Sequence, residues 1–98
     1  MTSKQRAYLR SMGSGLESTS QIGKGEISES IFKDLDAQLE KHELVKISVL
    51  RASPAPAKAV AEILSAGLRA ETVAVTGGKI LLYRRSKSDK GKHIELPQ

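Results

Sequence analysis

Gly23-Lys24-Gly25-Glu26 is the segment of this 98-residue chain whose residue types come nearest to a chemical task. Glycines let backbone N–H groups approach an anion with no Cβ in the way. A helix that follows such a bend presents free N–H groups and a partial positive charge. Lys24 adds a mobile cation, so the chemistry implied is phosphate binding. Glu26 opposes it, because a carboxylate beside the site repels phosphate. The plain alternative is a strand-to-helix turn with a helix-favouring Glu. No Gly-x4-Gly-Lys-Ser/Thr loop of the nucleotide-triphosphate kind occurs.

The other candidates are cations. Lys4, Arg6 and Arg10 recur near the N-terminus, and positions 6 and 10 are one helical turn apart on a shared face. Lys79, Arg84, Arg85, Lys87, Lys90 and Lys92 face one acid, Asp89, in the densest basic stretch. An Arg fork such as Arg84 or Arg85 grips phosphate at two points. The formal charge is +5, and all of the excess lies in residues 50–98, because residues 1–49 carry seven Lys/Arg and seven Asp/Glu. That asymmetry fits a polyanionic partner. The ordinary alternatives are a solvated helix face, a charged strand end and a soluble tail. Tyr83 could stack on a base, but a core position fits it better. With three aromatics in all and no other ring expected at the surface, recognition should rest on backbone and shape.

Catalytic constellations are missing from the sequence. Zero Cys excludes disulfides, thiol catalysis and thiolate zinc sites. His42 and His93 are far apart and lack metal-spaced neighbours. Glu29, Asp34, Asp36 and Glu40 read as the solvated face of one helix, and no Gly-x-Ser-x-Gly elbow occurs. We therefore expect no enzyme, no metal, no cofactor and no small-molecule substrate. No apolar run approaches the roughly 20 residues that cross a bilayer, and MTSKQRAYLRS has no apolar segment of the signal-peptide kind. A cytoplasmic, non-membrane protein is expected.

The elements that must position these groups read α-β-α-β-α-β-β, a single α/β domain with a four-stranded mixed sheet. Thr2-x-x-Gln5 has capping-box form and opens a helix through Met12, with Ala7, Tyr8 and Met12 apolar and Leu9 beside them. Ser18 to Ile22 is a weakly signalled strand. Ile27, Ile31, Leu35 and Leu39 fall at steps of four, with Phe32 alongside, and predict a helix over 28–42 capped by Ser28. Leu44–Leu50 is a strand whose Val45, Ile47 and Val49 alternate with Lys46 and Ser48. Ser53-Pro54 predicts the start of a third helix, with Ala57, Val60, Ala61 and Leu64 buried and Gly67 as its stop. Glu71–Thr76, the Gly77-Gly78 turn and Lys79–Arg84 form a hairpin. Its second strand is apolar enough to be buried on both faces. The expected core is Ile27, Ile31, Leu35, Leu39, Val45, Ile47, Val60, Leu64, Val73, Val75, Leu81 and Tyr83. Residues 86–98 read as a polar, loose tail in which Ile94-Glu95-Leu96-Pro97 can dock.

Four blocks then line up in order: KQRAYLR (Lys4–Arg10), QIGKGEIS with HELVKISV (Gln21–Ser28 and His42–Val49), TGGKILLYR (Thr76–Arg84) and ELP (Glu95–Pro97). Together they resemble the YhbY family of small bacterial proteins, the stand-alone form of the CRM domain, across about residues 4–97. The resemblance implies a fold similar to the C-terminal domain of translation initiation factor 3. It also implies RNA binding and association with precursors of the large ribosomal subunit. It places the family's Gly-x-x-Gly loop, reminiscent of the backbone-clamping loop of KH domains, at Gly23-Lys24-Gly25-Glu26, with Glu26 where the family has Gly. The expected RNA-binding set is Lys4, Arg6, Arg10, Gly23, Lys24, Gly25, Lys79, Arg84 and Arg85. A reading from a different class is a protein-interaction module whose basic C-terminal half docks on an acidic protein.

Overall fold

A computed structural model describes residues 1–23, 27–51, 53, 55–87 and 93–97. The element order is α1 (Ser3–Ser14), β1 (Ser20–Ile22), α2 (Glu29–His42), β2 (Leu44–Val49), α3 (Ala57–Leu68), β3 (Glu71–Thr76) and β4 (Lys79–Tyr83). This is the α-β-α-β-α-β-β order read from the sequence. The sheet runs β1-β2-β4-β3. β1 is parallel to β2, and β4 is antiparallel to both β2 and β3.

Each helix starts where local chemistry permits. The capping box of α1 is complete: Thr2 Oγ1 accepts from the Gln5 N–H, and Gln5 Oε1 accepts from the Thr2 N–H. Ser28 caps α2 by accepting from the Ile31 N–H. The start of α3 corrects the Ser53-Pro54 reading. Pro56 disfavours helical geometry at Ala55, so the helix begins only after Pro56, which caps it with extended backbone. Ser53 instead closes a small turn with Ala55 through its hydroxyl. Gly67 does not stop the helix either. The chain turns at Arg69, in left-handed geometry at φ 55°, and Gly67 leaves room for the Phe32 ring, 2.4 Å from where a Cβ would stand.

Two cores sandwich the sheet. Leu35, Leu39, Val60, Ala61, Leu64 and Leu68 from α2 and α3 pack on Ile22, Val45, Ile47, Ile80 and Leu82. On the opposite face Leu9 packs with Leu44, Val73, Leu81 and Tyr83. β4 is thus buried from both sides, as its continuous apolar run suggested. Burial raises the Tyr83 hydroxyl above its ordinary value, with the Glu43 charge adding to the effect. Ile27, Ile31 and Phe32 are only half-buried against the first core. In α1 the buried positions are Leu9 and Gly13, while Tyr8 and Met12 face solvent. This corrects the expected stripe, and it makes Tyr8 an exposed ring that the sequence reading did not anticipate.

Val75 also departs from the expected core. The β3–β4 register slips between Thr72 and Ala74, so Thr72 opposes Leu82 while Ala74 opposes Leu81. The extra residue is Val73. A bulge of this kind breaks strict alternation, sending Val73 to the α1 side and Val75 opposite Ile80. There, at the end of an edge strand, Val75 stays exposed.

Candidate nucleic-acid interface

The parallel strands β1 and β2 finish at the same end of the sheet. Ile22 pairs with Val49 there, and the Leu50 N–H donates to the Ile22 carbonyl. On the other side of β2, the Val49 N–H donates to the Gly78 carbonyl at 2.7 Å. Gly23 and the Gly77-Gly78 turn therefore flank the end of β2, close to where α2 and α3 begin. Crevices beyond the carboxyl ends of parallel strands are preferred ligand sites in open α/β sheets. Gly77 and Gly78 take φ 52° and 79°, the geometry of a type I′ hairpin turn. Lys24, Gly25 and Glu26 lie outside the described residues.

At this end α1 leaves part of its sheet face uncovered. The α1-side residues of β2 are Leu44, Lys46 and Ser48. Leu44 lies in the core beneath α1, whereas Lys46 and Ser48 extend beyond it and Lys79 stands opposite Ser48. A hollow of about 310 Å³ opens here, lined by Arg10, Gly13, Ser14, Lys46, Ala74, Thr76, Lys79, Ile80 and Leu81. Lys46 Nζ donates to the carbonyls of Gly13 at 3.2 Å and Leu16 at 3.3 Å, and so caps the negative end of α1. Lys79 Nζ donates to the hydroxyls of Ser48 and Ser18, and Ser48 Oγ donates to Ser18 Oγ at 2.7 Å. Every one of these acceptors is neutral. Among the described residues neither ammonium pairs with a carboxylate and no carboxylate lines the hollow, so both charges are held in place uncompensated by these residues.

The remaining predicted cations have other surroundings. Arg84 sits past the far end of β4, its side chain 15% exposed, and pairs with Asp36 at 2.7 Å and Glu40 at 3.2 Å. It also donates to the carbonyls of Leu68 and Asp36. Among the described residues its buried Nε has no hydrogen-bond partner. Its guanidinium is therefore engaged within the protein, by two carboxylates and two carbonyls. Arg6 reaches from α1 to the carbonyls of Thr72 and Val73 at 2.6 and 3.2 Å, fastening the helix across the bulge. Lys4 is exposed in the first turn of α1. Arg85 is exposed at the Arg84 end, around a second hollow shared with Arg69, Met1, Gln5 and Glu71. The predicted cations thus do not share one patch: Arg10 and Lys79 meet near the glycine turns, and Arg85 is at the opposite end of the sheet.

Residues 1–84 match the model of the CRS1 / YhbY (CRM) domain. The chain belongs to this family. It is 39% identical over 97 residues to a Bacillus subtilis protein named a probable RNA-binding protein, YqeI, covering 99% of each chain. A probable RNA-binding protein of Methanocaldococcus jannaschii is 35% identical over 86 residues, which are 86% of this chain and 63% of that one. A solved solution structure of a Staphylococcus aureus protein matches with a TM-score of 0.79 and 44% identity, over 99% of both chains.

Two features of this CRM domain were missed by reading the sequence. Lys46 lines the hollow, and Ser48 holds Lys79 at its edge, because the alternation in Leu44-Val45-Lys46-Ile47-Ser48-Val49 puts both on the α1 side; that pattern was a usable signal. Glu43 gave no such signal. It is buried, with left-handed backbone at φ 64°. Its carboxylate accepts from the N–H groups of Ser86 and Ile94, both at 2.6 Å, and pairs with His93 Nδ1 at 2.7 Å. Burial alone would raise its pKa. The His93 and backbone hydrogen bonds, helped by the His93 charge, outweigh burial and hold it below its ordinary value of 4.5. Through this carboxylate residues 93–97 are tied down, and Ile94 and Leu96 pack on the α1-side core.

Proposed function

We propose that this protein binds RNA through the uncompensated cations at the glycine end of its sheet, and that it is an assembly factor acting on ribosomal RNA in precursors of the large subunit. The observation that carries the reading is the trio Arg10, Lys46 and Lys79 around one hollow, with neutral partners holding the two lysines. The names of the relatives support RNA as the polyanion, and the resemblance to the YhbY family supports the ribosomal precursor. Gly23, Lys24 and Gly25 adjoin this face in sequence and act as its backbone clamp. Lys4 and Arg85 extend the contact toward the far end, while Arg6 and Arg84 position the elements. The protein works in the cytoplasm and performs no catalysis.

A sucrose gradient of cell lysate at low salt tests the ribosomal part. The protein should travel with pre-large-subunit particles, and confinement to the free-protein fractions overturns that assignment. Binding of the pure protein to RNA at several salt concentrations tests the broader part. Affinity should fall steeply with salt, because phosphate contacts release counterions. A pull-down whose partners all survive RNase digestion would point to an acidic protein partner instead.

A further inference from the structure

The hollow beside α1 has a floor that phosphate binding does not need. Gly13, Ala74 and Leu81 supply small or aliphatic surface, while Arg10, Lys46 and Lys79 stand around it. A site built for backbone phosphate alone would be polar throughout. This one offers an apolar seat of about 310 Å³ within reach of three positive charges. Small residues shape its edge. Gly13 lets α1 press directly on Leu81, where a Cβ would stand 2.5 Å from a Leu81 methyl, and Ala74, past the bulge, brings only a methyl group to the hollow.

We infer that this hollow takes one unstacked nucleotide of a single-stranded RNA, with its base on the Gly13–Ala74–Leu81 floor and its phosphate toward Arg10 and Lys79. The inference rests on the RNA-binding reading and narrows its substrate class. Charge complementarity selects the occupant: an apolar peptide side chain would fit the floor but leave the cations unanswered, and a bare phosphate would leave the floor empty. A nucleotide satisfies both, and an unstacked base is free to enter the hollow whereas one held in a duplex must first leave its stack. Ser48 and Ser18 hold Lys79 from behind with their hydroxyls, so the ammonium is oriented before the RNA arrives.

The test is a titration of the isotope-labelled full chain with a single-stranded heptanucleotide RNA and, separately, with a blunt RNA duplex at the same salt. The single strand should bind tighter by about 5-fold or more, which is about 1 kcal/mol. The amides of Gly13, Ala74 and Leu81 should shift with the single strand and stay in place with the duplex. Ala74→Leu, which fills the floor, should erase the preference while duplex binding holds. Equal or tighter duplex binding overturns the nucleotide seat and leaves RNA binding standing, as do shifts confined to the charged rim. Binding of neither RNA overturns both readings. The amide shifts of the unsubstituted protein decide the matter even if Ala74→Leu fails to fold.

Discussion

Lys79 and Arg84 bracket the same strand and carry the same charge, yet their partners give them opposite roles. Lys79 is held by serine hydroxyls, so its charge is available to a polyanion. Arg84 is consumed by Asp36, Glu40 and two carbonyls. Lys79→Ala should leave thermal stability nearly unchanged and lower the salt slope of RNA binding by about one unit. Arg84→Ala should do the reverse. It should destabilise the fold by about 1–3 kcal/mol, mostly through the lost carbonyl and Glu40 contacts, since the more exposed Asp36 pair contributes little. Thermal melts and salt titrations on the two variants separate these outcomes. Glu43 makes a prediction about pH. Its folded pKa lies below 4.5, so its contribution is fully present above that value and is lost as pH falls through the folded value. The Ser86 and Ile94 amides should lose protection from hydrogen exchange in that acid window. In Glu43→Gln they should exchange faster already at neutral pH, with no acid step.

The elements show how short-range rules compete with long-range ones. Serine and proline are helix-start residues, and Ser53-Pro54 carries both, but the second proline at 56 delays α3 to Ala57. Reading one proline without the next misplaced the start. In β3, alternation failed at the bulge, which depends on pairing with β4 and has no signature within β3 itself. The hairpin turn, by contrast, obeys local chemistry. Gly78 has φ 79°, and a Cβ there would stand 3.1 Å from the Val49 carbonyl. Gly78→Ala should therefore cost about 1–2 kcal/mol, read by chemical denaturation, and should disturb the end of β2 beside the hollow. In α2, Leu35 is wholly buried. Leu35→Ala should destabilise by about 2–5 kcal/mol through the cavity it leaves, and a loss well under 1 kcal/mol would contradict the packing of α2 on the sheet.

At the scale of the whole molecule, the sheet separates two tasks. α2 and α3 bury one face and supply most of the core. The other face is only partly covered, because α1 has 12 residues and so reaches about 18 Å. Beyond its C-terminal end the sheet's α1 side carries Lys46 and Lys79, with Ser48 buried and bonded to Lys79 and Ser18. The same arrangement sends Lys79 and Arg85 to opposite ends of β4. For that reason the described cations of residues 50–98 do not form one footprint.

The order of elements, the apolar stripe of α2, the double burial of β4 and the hairpin turn were legible in the sequence, because periodicity, caps and paired glycines act within a few residues. The family likeness was legible too, since the order and spacing of its blocks survive without coordinates. Tertiary structure alone decided which cations keep their charge. A lysine beside serines and an arginine beside carboxylates look alike along the chain, and only folding brings Asp36 and Glu40 to Arg84, or Ser18 and Ser48 to Lys79. The same holds for Glu43, whose partners lie some forty to fifty residues away in sequence. Compensation of charge depends on distance in space, and local sequence does not record that distance.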